Sequence, residues 1–483
     1  MQLQSRIEGA FLGLAVGDAL GAPLEFLPPV VAQQRFGTLT EMVGNSIWDP
    51  GEWTDDTAMT LGVARGILAG ANGGDEIEVT GAEFLKWSTT AKDVGSTITA
   101  TFRNLDSYDD WFDAARNTPQ AMRGEAGGNG SLMRILPVAL AFPNRDEMLH
   151  HSALHSAMTH HDSQAEVCCA LYCLWVSRLL NGEGKREAWR AALNEAKNLK
   201  RYDERTAGPE PLPDEFWPRL EDIENLKFEQ LQPSGYAGYV VECLEAAVWC
   251  VLNFDSYEET IVKIVNLAGE ADTLGAVAGG AAGTIYGLEA IPKRWLDALY
   301  EREELAKVGY SLFALREHKR AYSKPGLPPF LFDWLDSQMA AGRNPLTTYD
   351  ALQLQAAGIT HVLDLRESHE WSPPHYGSEA VETFEKLGIT RLHQPIVDTY
   401  EPTNGDFDAI ALWLEKALSD PKNKVYVHCR AGMERTASIL CAIFARQHGT
   451  SFEEALTILR RKRPIFAPLP GQIRAAKAWL AIT

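Results

Sequence analysis

The 483-residue chain is long enough to build two or more domains, each with its own core. Its hydrophobic content of 45%, charged content of 23% and formal charge of −20 fit a soluble globular protein and argue against nonspecific binding to nucleic acid or an anionic membrane. Seven cysteines without a CxxC spacing suit a reduced, cytoplasmic chain.

Residues 7–20 read as a buried helix with small residues at helical spacing. Asp18 interrupts this apolar opening and no basic segment precedes it, so neither a signal peptide nor a membrane span is expected. Glu25 follows the Gly21-Ala22-Pro23 break and by itself suits a solvated loop acid. Trp53-Thr54-Asp55-Asp56-Thr57 then opens an apolar helix over 58–70. Thr54 can cap that helix, with Asp55 and Asp56 in its first turn. The same arrangement can converge oxygen ligands on a hard divalent cation.

Further helices are expected over 80–91, 131–142, 146–158, 164–180 and 239–252. Cys168, Cys169 and Cys173 fall in one apolar run as core thiols. Asp93 precedes Val94-Gly95-Ser96-Thr97, where it suits either a helix N-cap or a site carboxylate. Gly127-Gly128-Asn129-Gly130 is a loop able to bring backbone N–H groups against a phosphate or ribose. Residues 183–235 are polar and proline-containing and read as an insertion or surface excursion, with Ser234-Gly235-Tyr236 leading into the next helix. Gly269-Glu270-Ala271-Asp272-Thr273 repeats the acid-and-threonine chemistry ahead of a small-residue helix ending near Gly287. A helix start bearing acids at the centre of a bundle needs a compensating cation. Two such starts facing each other would make a two-metal carboxylate site.

Strand signals are scarce up to this point, so the first 322 residues are expected to form an all-α bundle. Ser323-Lys324-Pro325-Gly326-Leu327-Pro328-Pro329 is the best linker signal, and 323–344 is taken as linker. Beyond it, apolar strands at 360–365 and 424–428 alternate with helices, which predicts an α/β domain over 345–483 with a mostly parallel central sheet. The second strand runs into Cys429-Arg430-Ala431-Gly432-Met433-Glu434-Arg435-Thr436 and then an apolar helix. Inward N–H groups and a helix N-terminus favour the thiolate of a cysteine so placed. They also cradle a phosphate, whose oxygens Arg435 can grip in bidentate fashion.

Several motifs in order resemble those of the ADP-ribosylglycohydrolases of the dinitrogenase reductase-activating type. They are Gly9-Ala10-Phe11-Leu12-Gly13 through Gly17-Asp18-Ala19-Leu20-Gly21, Trp53 to Thr57, Asp93 to Thr97, Gly128-Asn129-Gly130-Ser131-Leu132-Met133-Arg134, Thr159-His160 and Ala271-Asp272-Thr273. The resemblance implies two divalent cations, Mg2+ or Mn2+, held by Thr54, Asp55, Asp56, Asp272 and Thr273, with Glu270 where the family usually has Asp. It implies Asp56 and Glu25 as catalytic acids beside the metals. Asp93, Gly95, Asn129, Gly130, Ser131 and His160 would bind substrate, and Asp93 favours an arginine-linked ADP-ribose over a serine-linked one.

The Cys429 loop and its surroundings resemble the cysteine-dependent tyrosine and dual-specificity phosphatases. That resemblance implies Cys429 as nucleophile, Arg435 as transition-state ligand and Thr436 as the hydroxyl that helps the thiol leave. Arg430 and Gly432 would bind the phosphate, and no metal is needed. Asp398 is the expected general acid, with Asp406 and Asp408 as alternatives, and Pro464 to Gln472 matches a closing segment whose Gln orients water. Glu434, where Gly is usual, and the added cation Arg430 leave phosphoprotein, phosphoinositide and nucleotide substrates open. The chain is thus expected to be a bifunctional hydrolase acting on an ADP-ribosylated protein or small molecule and on a phosphorylated protein or metabolite. The alternatives are a two-step hydrolase of one small metabolite, a phosphatase regulated by ADP-ribose, and a non-catalytic module.

Overall fold

The computed structural model describes residues 2–108, 110–118, 127–231, 238–322, 330–371 and 378–482. Two of the sequence expectations, the Ser234-Gly235-Tyr236 lead and the 323–329 linker signal, lie outside the described residues. The chain divides into two compact units, Met1–Arg316 and Glu317–Thr483.

Unit 1 is helical and is built around two antiparallel helices, Leu3–Gly21 and Ala271–Tyr286. Gly9, Gly13, Gly17 and Gly21 recur every four residues and so share one helix face. They meet Gly283, Gly279, Gly275 and Ala271 of the other helix. A Cβ at Gly17 would sit 2.0 Å from the Gly275 carbonyl oxygen, and one at Gly275 would sit 2.2 Å from that of Gly17. The two main chains therefore touch, which only glycine permits. By length and composition Leu3–Leu24 is apolar enough to cross a membrane, but 94% of its apolar window is buried inside the protein, as in a core helix.

Asp55–Ala71, Glu76–Ser88, Arg145–Ala157, Ser163–Leu180 and Val240–Asn253 are helices close to the expected ranges. Cys168, Cys169 and Cys173 are buried on the fourth, and all seven cysteines are free. Two expectations need correction. The helix expected over 131–142 is confined to Leu136–Ala141, because Pro137 is tolerated only in a first turn. The stretch from 183 is no simple surface excursion. Lys185–Ala196 is an amphipathic helix that buries Ala188, Trp189, Ala192 and Leu193, with Trp189 edge-on to Trp175.

Among the described residues of unit 2, five strands form one sheet of order β1-β2-β5-β3-β4. The strands are β1 (Phe332–Trp334), β2 (Met339–Gly342), β3 (His361–Asp364), β4 (Thr390–His393) and β5 (Val425–His428). β1 pairs antiparallel with β2; the other pairs are parallel. The assignment of 323–344 as linker is therefore corrected: its described part holds β1 and β2. The run Met-Ala-Ala-Gly carries little β-propensity and forms a strand through pairing to the buried β5, and the three-residue β1 in turn pairs with β2. Asp364 is fully buried at the end of β3, where it accepts from Arg366 Nε and Nη2 at 3.0 and 2.8 Å and from Arg391 Nη2 at 2.9 Å. These cations hold its carboxyl below the usual range against the cost of burial.

Two candidate active sites

In unit 1 the start of the Asp55 helix is capped from outside. Thr54, expected as the cap, makes no side-chain cap bond. Asp18 of the first helix takes that role. Its carboxylate accepts from Thr54 N–H at 2.9 and 3.1 Å, from Thr57 N–H at 3.0 Å and from the Thr57 hydroxyl at 2.6 Å. The Thr54 hydroxyl is thereby free to turn inward, where it lies 3.2 Å from Asp56 Oδ2 and 3.3 Å from Asp272 Oδ2. The Thr273 hydroxyl donates to Asp56 Oδ2 at 3.3 Å.

Asp55, Asp56 and Asp272 each present an oxygen within 4.8 Å of the others. Asp56 Oδ1 and Asp272 Oδ1 are buried without a hydrogen-bond partner. Burial and the neighbouring carboxylates push Asp55 up to about 7 and Asp56 and Asp272 well above the normal carboxylate range. Asp18 rises to about 6, mainly through burial. Such a set of orphaned oxygens fits a hard divalent ion. Glu270 is not in this tight group. It stands half-buried at the head of the Ala271 helix, where its Oε2 is 3.5 Å from Asn129 Nδ2.

A cavity of about 280 Å³ opens beside the triad. Glu25, Asp55, Asp93, Glu270, Asp272 and Thr273 line it, together with Gly95, Asn129, Gly130 and His160. Burial and the charges of Asp272, Asp55, Asp93 and Asp56 push Glu25 up to about 12. The Glu25 loop is tied to the Glu270 loop: Phe26 N–H donates to Gly269 O at 2.7 Å and Gly269 N–H to Leu27 O at 3.1 Å. Phe26 accepts a left-handed φ of 57° to do so, and its exposed ring lines the cavity. Asp93 does not cap the following helix, whose N-cap is Gly95. One expectation fails here. Ser131 is fully buried and does not line the cavity; its hydroxyl accepts from Ser156 at 3.0 Å and from Cys169 at 3.4 Å.

In unit 2 the loop from Cys429 joins β5 to the helix Arg435–His448. Cys429 is buried at the C-terminal end of the sheet, the usual place for a site in an open α/β sheet. Gly432 has a φ of 68°, and a Cβ there would lie 2.0 Å from Gly342 O. Arg463 Nε donates to Gly432 O at 3.1 Å and Asn344 N–H to Arg430 O at 3.1 Å, so the loop is braced from two sides. Arg435 is held by Glu370 through Nη1 at 2.7 Å and Nη2 at 2.9 Å, and its Nη1 also donates to Ile396 O at 3.1 Å. Asp398 Oδ1 lies 3.2 Å from Arg435 Nη2. Asp406 is engaged in a capping box with Thr403, and Asp408 accepts from Trp479 Nε1 at 2.8 Å. The Thr436 hydroxyl is buried without a partner. Arg430 is exposed and Glu434 half-buried at the rim. Gln472 is buried, with its carbonyl 3.1 Å from Leu469 N and its Nε2 unpartnered.

The family model for ADP-ribosylglycohydrolase matches residues 1–322, two-thirds of the chain. The chain belongs to the ADP-ribosylglycohydrolase family. The model for the dual specificity phosphatase catalytic domain matches residues 345–480, so this ADP-ribosylglycohydrolase carries a second hydrolase domain. Among curated proteins it is 28% identical over 323 residues to the ADP-ribosylarginine hydrolase Tri1 of Pseudomonas putida, covering 65% of this chain and 79% of that one. It is 31% identical over 302 residues to the ADP-ribosyl-[dinitrogen reductase] glycohydrolase of Rhodospirillum rubrum, covering 62% of this chain and 91% of that one. A solved structure described as an ADP-ribosylglycohydrolase-related protein complex superposes with a TM-score of 0.53 at 31% identity, over 65% of this chain and 99% of that chain.

Sequence reasoning about this ADP-ribosylglycohydrolase missed Asp18 and Glu370 as site residues. Asp18 had a signal, an acid in the middle of a small-residue apolar helix. Glu370 had none, because its partner Arg435 is 65 positions away.

Proposed function

We propose that unit 1 is a divalent-metal-dependent hydrolase that releases ADP-ribose, preferentially from arginine, and that unit 2 is a metal-free phosphomonoesterase working through Cys429. The observation that carries the first part is the triad of Asp55, Asp56 and Asp272, whose buried oxygens lack partners. These three would hold the ions, with the Thr54 and Thr273 hydroxyls beside them and Glu270 reaching from the cavity wall. Two Mg2+ or Mn2+ ions, when bound, supply Lewis acidity toward ribose hydroxyls and water. Glu25 lines the cavity close to Asp272 and Asp55, and its carboxyl is assigned to the reacting end. Asp93 lines the same cavity, and a carboxylate pairs a guanidinium in bidentate fashion. The names of the Pseudomonas and Rhodospirillum relatives agree with an ADP-ribosylated protein side chain as substrate.

In unit 2 the thiolate attacks phosphorus, Arg435 takes the equatorial oxygens, Asp398 protonates the leaving oxygen and the Thr436 hydroxyl stabilises the departing thiolate. The test is a paired assay. ADP-ribosylated arginine and serine peptides are each incubated with the full chain, with and without exhaustive chelation. Release from arginine that stops on chelation is expected. Full activity after chelation, or release from serine with arginine spared, refutes the corresponding half of the reading.

A further inference from the structure

We propose that Arg134 and Thr159 are positioning residues that fix the tautomer of His160, so that its Nε2–H is an uncharged hydrogen-bond donor to an acceptor oxygen of the bound nucleotide sugar. The inference rests on the reading of the unit 1 cavity as the ADP-ribose pocket.

Arg134 is fully buried, and its Nη2 donates to His155 O at 3.0 Å and to the Thr159 hydroxyl oxygen at 2.6 Å. A guanidinium only donates, so the Thr159 oxygen is already an acceptor. The Thr159 hydroxyl has one proton left to place, and His160 Nδ1 lies 2.8 Å away. Placing that proton on the Thr159–Nδ1 contact satisfies both groups and leaves Nδ1 without a hydrogen of its own. The opposite tautomer would aim two donors at the Thr159 oxygen and strand its hydroxyl proton in a buried setting, which native structures avoid. Burial and the charge of Arg134 press His160 down to about 3, so the ring carries a single proton, on Nε2.

The Nε2 edge lies beside the cavity-lining glycines Gly128 and Gly130. His160 lines the cavity with them. A Cβ at Gly128 would lie 3.3 Å from Nε2, and one at Gly130 would lie 2.9 Å from Cε1 and 3.2 Å from Nε2. Because both positions are glycine, no side chain there crowds this edge, and no protein acceptor for Nε2 occurs among the described residues. A neutral donor suits this pocket. A protonated imidazole would attract the nearby carboxylates as readily as it attracts a nucleotide oxygen, and a bare nitrogen would repel both.

The test uses the full chain labelled with ¹⁵N-histidine, the His160 signals being assigned by their loss in both His160→Gln and His160→Asn. Two-bond proton–nitrogen spectra are expected to show the Nε2–H form, unchanged from pH 5 to 8. Thr159→Val should mix the two tautomers and raise KM more than it lowers kcat. In calorimetric binding of ADP-ribose, His160→Asn, which mimics Nδ1, should bind about tenfold more weakly than His160→Gln, whose amide nitrogen takes the place of Nε2. An Nδ1–H tautomer, or a titrating His160, in a chain that still binds ADP-ribose overturns the relay alone. The Nε2–H tautomer in a chain that binds no ADP-ribose overturns the pocket reading and, with it, the ligand assigned to the donor. Equal losses in the Gln and Asn variants overturn the donor role.

Discussion

The two sites solve opposite electrostatic problems. Unit 1 gathers Asp18, Asp55, Asp56 and Asp272 so tightly that each raises its neighbours' affinity for protons, and it leaves two of their oxygens unpartnered. Unit 2 balances its charge internally: Glu370 and Asp398 flank Arg435, and Arg366 and Arg391 flank Asp364. In the function proposed above, the first arrangement is completed by a cation from solution. The second is poised for an anion. The lesson is that one chain can hold two hydrolase domains whose sites are charged in opposite ways.

The sharpest way to break the comparison is at the nucleophile. Cys429→Ser should lower aryl phosphate turnover by at least about 1,000-fold and leave ADP-ribose release unchanged, both read on one preparation. Asp55→Ala or Asp272→Ala should do the reverse, lowering ADP-ribose release by at least about 100-fold with phosphatase turnover intact. A parallel loss of both activities in any of these variants would mean that the sites are not independent. Asp398→Ala should slow alkyl phosphates by about 100-fold and activated aryl phosphates far less, since only a poor leaving group needs the proton; equal losses would remove Asp398 as the acid.

The smallest effect concerns stability against pH, and its sign differs between the units. Asp18 and Asp55 are raised to about 6 and about 7, so without metal the unfolded chain releases their protons first. Their stabilisation is complete at low pH and is lost as pH rises from about 4 to 7. Asp364 and Glu370 are depressed, so their stabilisation is present above about pH 4 and lost as pH falls. Scanning calorimetry in chelator should show the unit 1 transition falling by several degrees between pH 5 and 8 while that of unit 2 holds. Added Mg2+ or Mn2+ should restore unit 1 most at the higher pH, where the ion no longer competes with protons. A unit 1 transition that rises with pH in chelator would contradict the charge assignment.

Much of this was legible in the chain. Adjacent acids and a hydroxyl at an apolar helix start announce themselves locally, as does a cysteine between a strand and a helix. What depended on distant partners was not. Thr54 read as a cap, and only the approach of Asp18 across helices shows why it need not be. Ser131 sits in a motif whose neighbours line the cavity, yet its side chain turns into the core toward Ser156, a direction no spacing encodes. Glu270 carries the right charge but stands at the wall, since its place is set by the loop bound to Phe26. β1 and β2 were missed because one is only three residues long and the other is a run of mostly small residues, and each becomes a strand only when a neighbour supplies the pairing.

The glycine contact between the two central helices has a consequence for how such a site can change. Asp18 follows Gly17, and Asp272 lies three residues before Gly275, so both acids ride on segments whose separation is set by main-chain atoms in contact. A core lined by side chains has shims: one residue shrinks, another grows, and the helices shift to suit. Here there is no shim to trade. The distance between the two acid-bearing segments is a fixed gauge, and the adjustable quantity is the reach of the side chains mounted on it, as with the longer arm of Glu270.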